Sequence, residues 1–74
     1  MQVHVNGEIK ELTEGTLLSE LLTQLNLPVQ RIAVEHNRTV VRRADWEGIV
    51  LREGDRVEIV HFVGGGWGVA SQVE

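Results

Sequence analysis

The sequence predicts one small α+β domain in which a single helix packs on one face of a mixed β-sheet. Three observations lead there. Segments at both ends of the body, Met1 to Val5 and Arg56 to Phe62, carry the apolar and polar alternation of half-buried strands. Between them Leu17, Leu18, Leu21, Leu22 and Leu25 are spaced for one face of a helix. Turn signals at Asn6-Gly7, Asn26-Leu27-Pro28 and Glu53-Gly54-Asp55 separate these segments.

Met1, Val3 and Val5 are expected to face the core and Gln2 and His4 the other side. Asn6-Gly7 supplies the two-residue turn of a tight hairpin, and Glu8 to Leu12 returns as the second strand. Thr13 to Thr16 breaks the alternation, with Thr16 or Thr13 as the expected helix N-cap. The leucine stripe is core packing, and Asn26-Leu27-Pro28 stops the helix, because Asn tolerates the left-handed cap and Pro28 biases Leu27 away from helical angles. Arg31 to Glu35 reads as the third strand, His36 to Thr39 as a turn, and Val40-Val41 as a short strand. Arg42 to Gly48 is too short and polar for a full helix and reads as one irregular turn, with Trp46 plugging the edge of the core. Arg56 to Phe62 is the last strand. His4 and His61 read as ordinary sheet residues, and Asn6, Asn37 and Asp55 as turn residues.

Strand, strand, helix, strand, short strand, strand is the order of the β-grasp fold. One helix covers only one sheet face, so if Val57 and Ile59 point at it, Glu58, Val60 and Phe62 share the opposite face with Gln2, His4, Ala33 and Glu35. Val60 and Phe62 are therefore expected to be exposed apolar residues and, with Glu58, the centre of a partner-docking patch. The body ends at 63, a glycine tail occupies 64–66, and 67–74 form a C-terminal extension, either removed or flexible. No repeat or interdomain linker appears.

Gly64, Gly65 and Gly66 have no Cβ, so they can thread a channel too narrow for other residues. Extended, Val63 to Gly66 reaches roughly 14 Å. Such an arm suits delivery of a backbone carboxyl group into another protein's active site. The chain of 74 residues has no cysteine, which excludes disulfides, thiolate metal sites and a cysteine nucleophile. Three dispersed histidines and scattered acids give no metal-site pattern. A net charge of −4 opposes non-specific nucleic-acid binding, and the arginines are interspersed with acids and have little aromatic company. No apolar run is long enough for a membrane span, and the start shows no leader pattern, so the expected location is the cytosol.

A resemblance covers residues 1–66. Val5-Asn6-Gly7-Glu8, Val34-Glu35-His36-Asn37, Val41-Arg42-Arg43-Ala44-Asp45-Trp46 and Gly54 to Gly66 together resemble the ThiS family, the ubiquitin-like sulfur carriers of thiamine biosynthesis. The resemblance implies that Gly66 carries the reactive carboxylate and that the chain is no enzyme. A ThiF-like adenylating enzyme would activate Gly66 with ATP and magnesium, so the chain itself would bind no cofactor. A cysteine desulfurase relay would then replace AMP with sulfur, and the thiocarboxylate would serve a ThiG-like thiazole synthase. The lack of cysteine fits a carrier that holds sulfur as a thioacid.

One departure from the family pattern is Trp67 to Glu74, which follows the glycines and ties the Gly66 carbonyl into an amide. An amide offers ATP no carboxylate oxygen. Three accounts remain open: a processing peptidase cuts after Gly66, the extension is artefactual, or Trp67 and Val69 fold back over Val60 and Phe62. Two other functions also remain open. One is a carrier similar to the small subunit of molybdopterin synthase; the other is a ubiquitin-like binding module without tail chemistry.

Overall fold

The structure, a computed structural model, describes residues 1–62 and 70–72, and for Phe62 and 70–72 it gives the backbone pairing. Its elements are β1 (Gln2–Val5), β2 (Glu8–Glu11), α1 (Leu18–Gln24), β3 (Ile32–His36), β4 (Thr39–Val41), β5 (Arg56–Phe62) and β6 (Ala70–Gln72), with 3-10 turns at Val29–Arg31 and Arg43–Gly48. The sheet order is β2-β1-β5-β3-β4, and β6 pairs with β5. Among the described strands β1 and β5 run parallel and the other pairs antiparallel, so the sheet is mixed, as the β-grasp fold requires.

Local chemistry explains the turns. Asn6 and Gly7 both have positive φ, 49° and 84°, the pair needed for a hairpin turn whose twist matches its strands. Asn37 and Arg38 do the same between β3 and β4, at 50° and 72°. Asn26, at φ 58°, ends α1 in the left-handed conformation. Arg31 falls in the 3-10 turn, where its N–H donates to the Pro28 carbonyl at 2.8 Å, so β3 begins one residue later than the sequence pattern suggests.

The start of α1 corrects the expected cap. Leu17, and neither Thr16 nor Thr13, holds the N-cap position. The Thr16 hydroxyl donates instead to the Thr13 carbonyl at 2.6 Å, and the Glu20 carboxylate accepts from the Leu17 N–H at 2.8 Å. The cause is long-range. Leu17 bridges Val50, the Leu18 N–H donates to Ile49, and the Leu51 N–H donates to Thr16, each at 2.9 Å for the two hydrogen bonds. That pairing keeps 16–17 extended and delays the helix.

The core lies between α1 and the sheet. Leu18, Leu21 and Leu22 of the helix meet Val3, Val5, Ile32, Val34, Leu51, Val57 and Ile59, all buried, with Met1 and Leu25 packed at the margin. Trp46 closes one edge, and its indole N–H donates to the Val41 carbonyl at 3.1 Å, so burial costs it no hydrogen bond. Among the described residues no helix is long and apolar enough to cross a membrane, and no cluster of three or more His, Asp or Glu could hold a metal ion.

Candidate functional site: the outer end of the last body strand

β5 runs from a heavily bonded base at Arg56 to Phe62, next to the glycine segment. At the base the Asp55 carboxylate accepts from His36 Nε2 at 2.8 Å, from Asn37 Nδ2 at 3.1 Å and from the Arg52 N–H at 3.0 Å. Asn37 is tied in turn to Arg56: its side-chain carbonyl accepts from the Arg56 N–H at 2.9 Å, and its N–H donates to the Arg56 carbonyl at 2.8 Å. Burial of Asp55 works to raise its pKa. Hydrogen bonds from His36, Asn37 and the Arg52 N–H, with the charge of His36, outweigh burial and hold the carboxyl below its ordinary 3.8.

Halfway along, Val57 and Ile59 are buried under α1. Register then fixes the open face: Glu58 stands opposite Glu35, and Val60 opposite Ala33. The expected side for Glu58 and Val60 is therefore correct. The expected exposure of Val60 is not, since Val60 is half-buried. Its strand is flanked there by Ala33 of β3 and by the backbone of Gln72 in β6, two neighbours that the body sequence alone does not bring together. Phe62 lies at the end of β5 opposite Ala70; its side chain, and Gly64, Gly65 and Gly66, lie outside the described residues.

Two apolar residues of the same face were not anticipated. Ile9 pairs with His4 and is 61% exposed, and Val40 pairs with Glu35 and is 69% exposed. Directly paired residues share a face, so both sit on the uncovered side, at opposite margins of the sheet. The alternation of Ile9 with Glu8 and Lys10 held that signal, but it needed the β1 and β2 register to be read.

Part of the extension pairs with the body. Ala70 to Gln72 return to β5 as an added antiparallel strand at its edge, with Val60 opposite Gln72, His61 opposite Ser71 and Phe62 opposite Ala70. The anticipated fold-back of Trp67 and Val69 over the sheet face lies outside the described residues.

The ThiS family model matches residues 3–66, ending at the third of the consecutive glycines, Gly66. A thiazole synthase of Magnetococcus marinus is 44% identical over 66 residues, which are 89% of this chain and 20% of that protein. The chain thus spans about a fifth of the length of that relative. The sulfur carrier protein ThiS of Bacillus subtilis is 31% identical over 65 residues, 86% of this chain and 98% of that one. The crystal structure of the thiamine biosynthesis protein ThiS of Geobacter metallireducens superposes with a TM-score of 0.79 at 32% identity, covering 89% of this chain and all of that one. A β-grasp body, three consecutive glycines in the sequence shortly after β5 and a family match ending at the third of them lead to one conclusion: the chain belongs to the ThiS family.

Proposed function

We propose that the chain is a sulfur carrier of thiamine biosynthesis whose working group is the carboxylate of Gly66. As a member of its family it is a carrier and not an enzyme. A resting carboxylate is a poor electrophile. A ThiF-like enzyme, using ATP and magnesium, adenylates it: a carboxylate oxygen attacks the α-phosphorus and pyrophosphate leaves. The outer sulfur of a persulfide on a cysteine desulfurase relay then displaces AMP, giving an acyl disulfide; a second thiol of the relay attacks the relay's own sulfur, forming a disulfide there and releasing the thiocarboxylate, which donates its sulfur to a thiazole synthase. All catalytic side chains belong to those partners. The observation that carries this reading is the end of the family match at Gly66, shortly after β5 stops at Phe62.

The partners dock on the open sheet face around Glu58, Val60 and Phe62, widened by Ile9 and Val40. Before activation a peptidase hydrolyses the bond between Gly66 and Trp67, because only a free carboxylate can be adenylated. The test compares the full-length chain with one ending at Gly66, each incubated with ATP, a cognate adenylating enzyme and a sulfur source, then weighed. The shortened chain gains about 16 Da, one oxygen exchanged for sulfur, and the full-length chain gains nothing. A shortened chain of unchanged mass overturns the reading.

The pairing of β6 with β5 favours a second reading, a ubiquitin-like binding module that keeps its extension for good. Replacing Gly65 and Gly66 with alanine separates the two: a carrier loses activation, and a module binds its partner unchanged.

A further inference from the structure

The outer edge of β5, away from β3, is covered in three ways along its length. At Arg56 and Val57 it pairs with β1. At Ile59 the chain of β1 has already turned away, and the Asn6 side chain stands in for a strand: its carbonyl accepts from the Ile59 N–H at 2.7 Å and its amide donates to the Ile59 carbonyl at 3.2 Å. Beyond Asn6 the cover is β6.

Successive residues of a strand turn their N–H and C=O to opposite edges. Arg56 turns inward, to Asn37, whereas the Val57 carbonyl accepts from the Asn6 N–H at 2.9 Å on the outer side. With Ile59 also turned outward, the next outward residue is His61. Its edge groups are therefore the ones that residues 1–62 leave to another strand.

We propose that the β5 edge at His61 is a strand-addition site for an extended segment of a thiazole synthase, occupied in cis by Ala70–Gln72 in the full-length chain. The proposal rests on the carrier reading above. The edge accepts a strand, as β6 demonstrates. It is also close to the tail in sequence: the six residues His61 to Gly66 span roughly 20 Å when extended, a length along which a segment paired at His61 can follow the chain toward Gly66. The Asn6 side chain acts as a stop, because the Ile59 groups it holds are closed to an incoming strand and register is thereby fixed. Among the described residues the cis strand has three, short enough to be displaced or lost with the extension. Finally, the relative of highest quoted identity is itself a thiazole synthase, in which a domain like this one shares a chain with the rest of that protein.

Two measurements test the proposal, on the full-length chain and on a chain ending at Gly66. The shorter form is a fair object, because the solved Geobacter metallireducens relative is matched over its whole length by 89% of this chain. In the first, His61→Pro removes an outward N–H while leaving the inward β3 ladder its donors, a placement an edge strand tolerates. His61→Ala is the reference, since it gives up the same imidazole and keeps the N–H. His61→Pro should bind thiazole synthase about tenfold more weakly than His61→Ala; equal affinities overturn the proposal. In the second, hydrogen exchange at the unmutated His61 amide should be slow in the full-length chain, fast in the chain ending at Gly66, and slow again once thiazole synthase is added. Fast exchange in the complex overturns the proposal even if the proline variant fails to fold. An unmutated Gly66-ended chain that gains no sulfur mass overturns the carrier reading alone, and the His61 exchange still decides the edge.

Discussion

β5 is held very differently at its two ends. At its base, Asp55 collects three hydrogen bonds, Asn37 exchanges two with Arg56, the Gly54 N–H donates to Gln2 at 2.7 Å, and the His4 N–H donates to the Asp55 carbonyl at 2.8 Å. Apart from the local one from Arg52, these bonds join segments far apart in sequence, so they fix the strand against β1 and the β3–β4 turn together. At the other end, past Asn6, the outer edge of β5 is matched, among the described residues, by the three residues of β6. The contrast suits a strand used as a mount: its root is immobilised from several directions, and its tip is left available to whatever takes the glycines. Changes at the root should cost stability and spare chemistry, and changes at the tip should do the reverse.

The largest effect belongs to the tip. Replacing Gly65 and Gly66 with valine in the Gly66-ended chain should reduce adenylation by about 100-fold, because a branched side chain misplaces the reacting carboxylate. The unfolding free energy from urea denaturation should stay within about 0.5 kcal/mol of the parent. A parallel fall in stability would erase the contrast. At the root, Asp55→Ala leaves the donors of His36, Asn37 and Arg52 without their shared acceptor and should lower unfolding free energy by about 2 kcal/mol, with adenylation unchanged wherever the protein remains folded. Between the two lies Asn6→Gly, which keeps the positive φ accessible and removes only the side-chain amide from Ile59. Urea denaturation should register a loss of about 1 kcal/mol. A loss as large as that of Asp55→Ala would move the boundary of the fixed region past Ile59.

Features governed by near neighbours were legible in the sequence. The leucine stripe, the Asn6-Gly7 turn and the stop at Asn26 each follow from a few consecutive residues, and each stands where the pattern puts it. What escaped depends on register between distant segments. Thr16 has the chemistry of an N-cap, yet pairing of 16–18 with 49–51 holds that stretch extended and hands the cap to Leu17. Asn6 reads as a turn residue, and it is one; its second task, closing the β5 edge at Ile59, appears only when residues 53 positions apart are brought together. The open face shows the same division. Alternation along β5 places Glu58 and Val60 on the open face, but Ile9 and Val40 join them through cross-strand pairing, and Val60 is half-buried at a point where β5 is flanked by β3 and β6. The three glycines were conspicuous from the start, because their meaning lies in the residue type itself.

The smallest effect sharpens the contrast through pH. The Asp55 carboxyl is held below its ordinary 3.8 by bonds that exist only in the folded chain, so folding favours the ionised form. A depressed carboxylate of this kind contributes stability that is fully present above the unfolded value and is lost as pH falls through the folded one. The parent should therefore lose part of its stability in the acid range below about 3.8. Asp55→Asn keeps the shape and removes the titration. Its urea midpoint should start lower and fall less steeply than the parent's between roughly pH 5 and pH 2, so that the two curves converge at the acid end. Parallel curves would mean that the carboxylate holds the root by shape alone. Amide exchange measured at two positions then ties the titration to its place in the fold: if the root is the pH-sensitive anchor, the Arg56 amide should lose protection with the parent's acid transition while the His61 amide of the Gly66-ended chain, already open, follows no such midpoint.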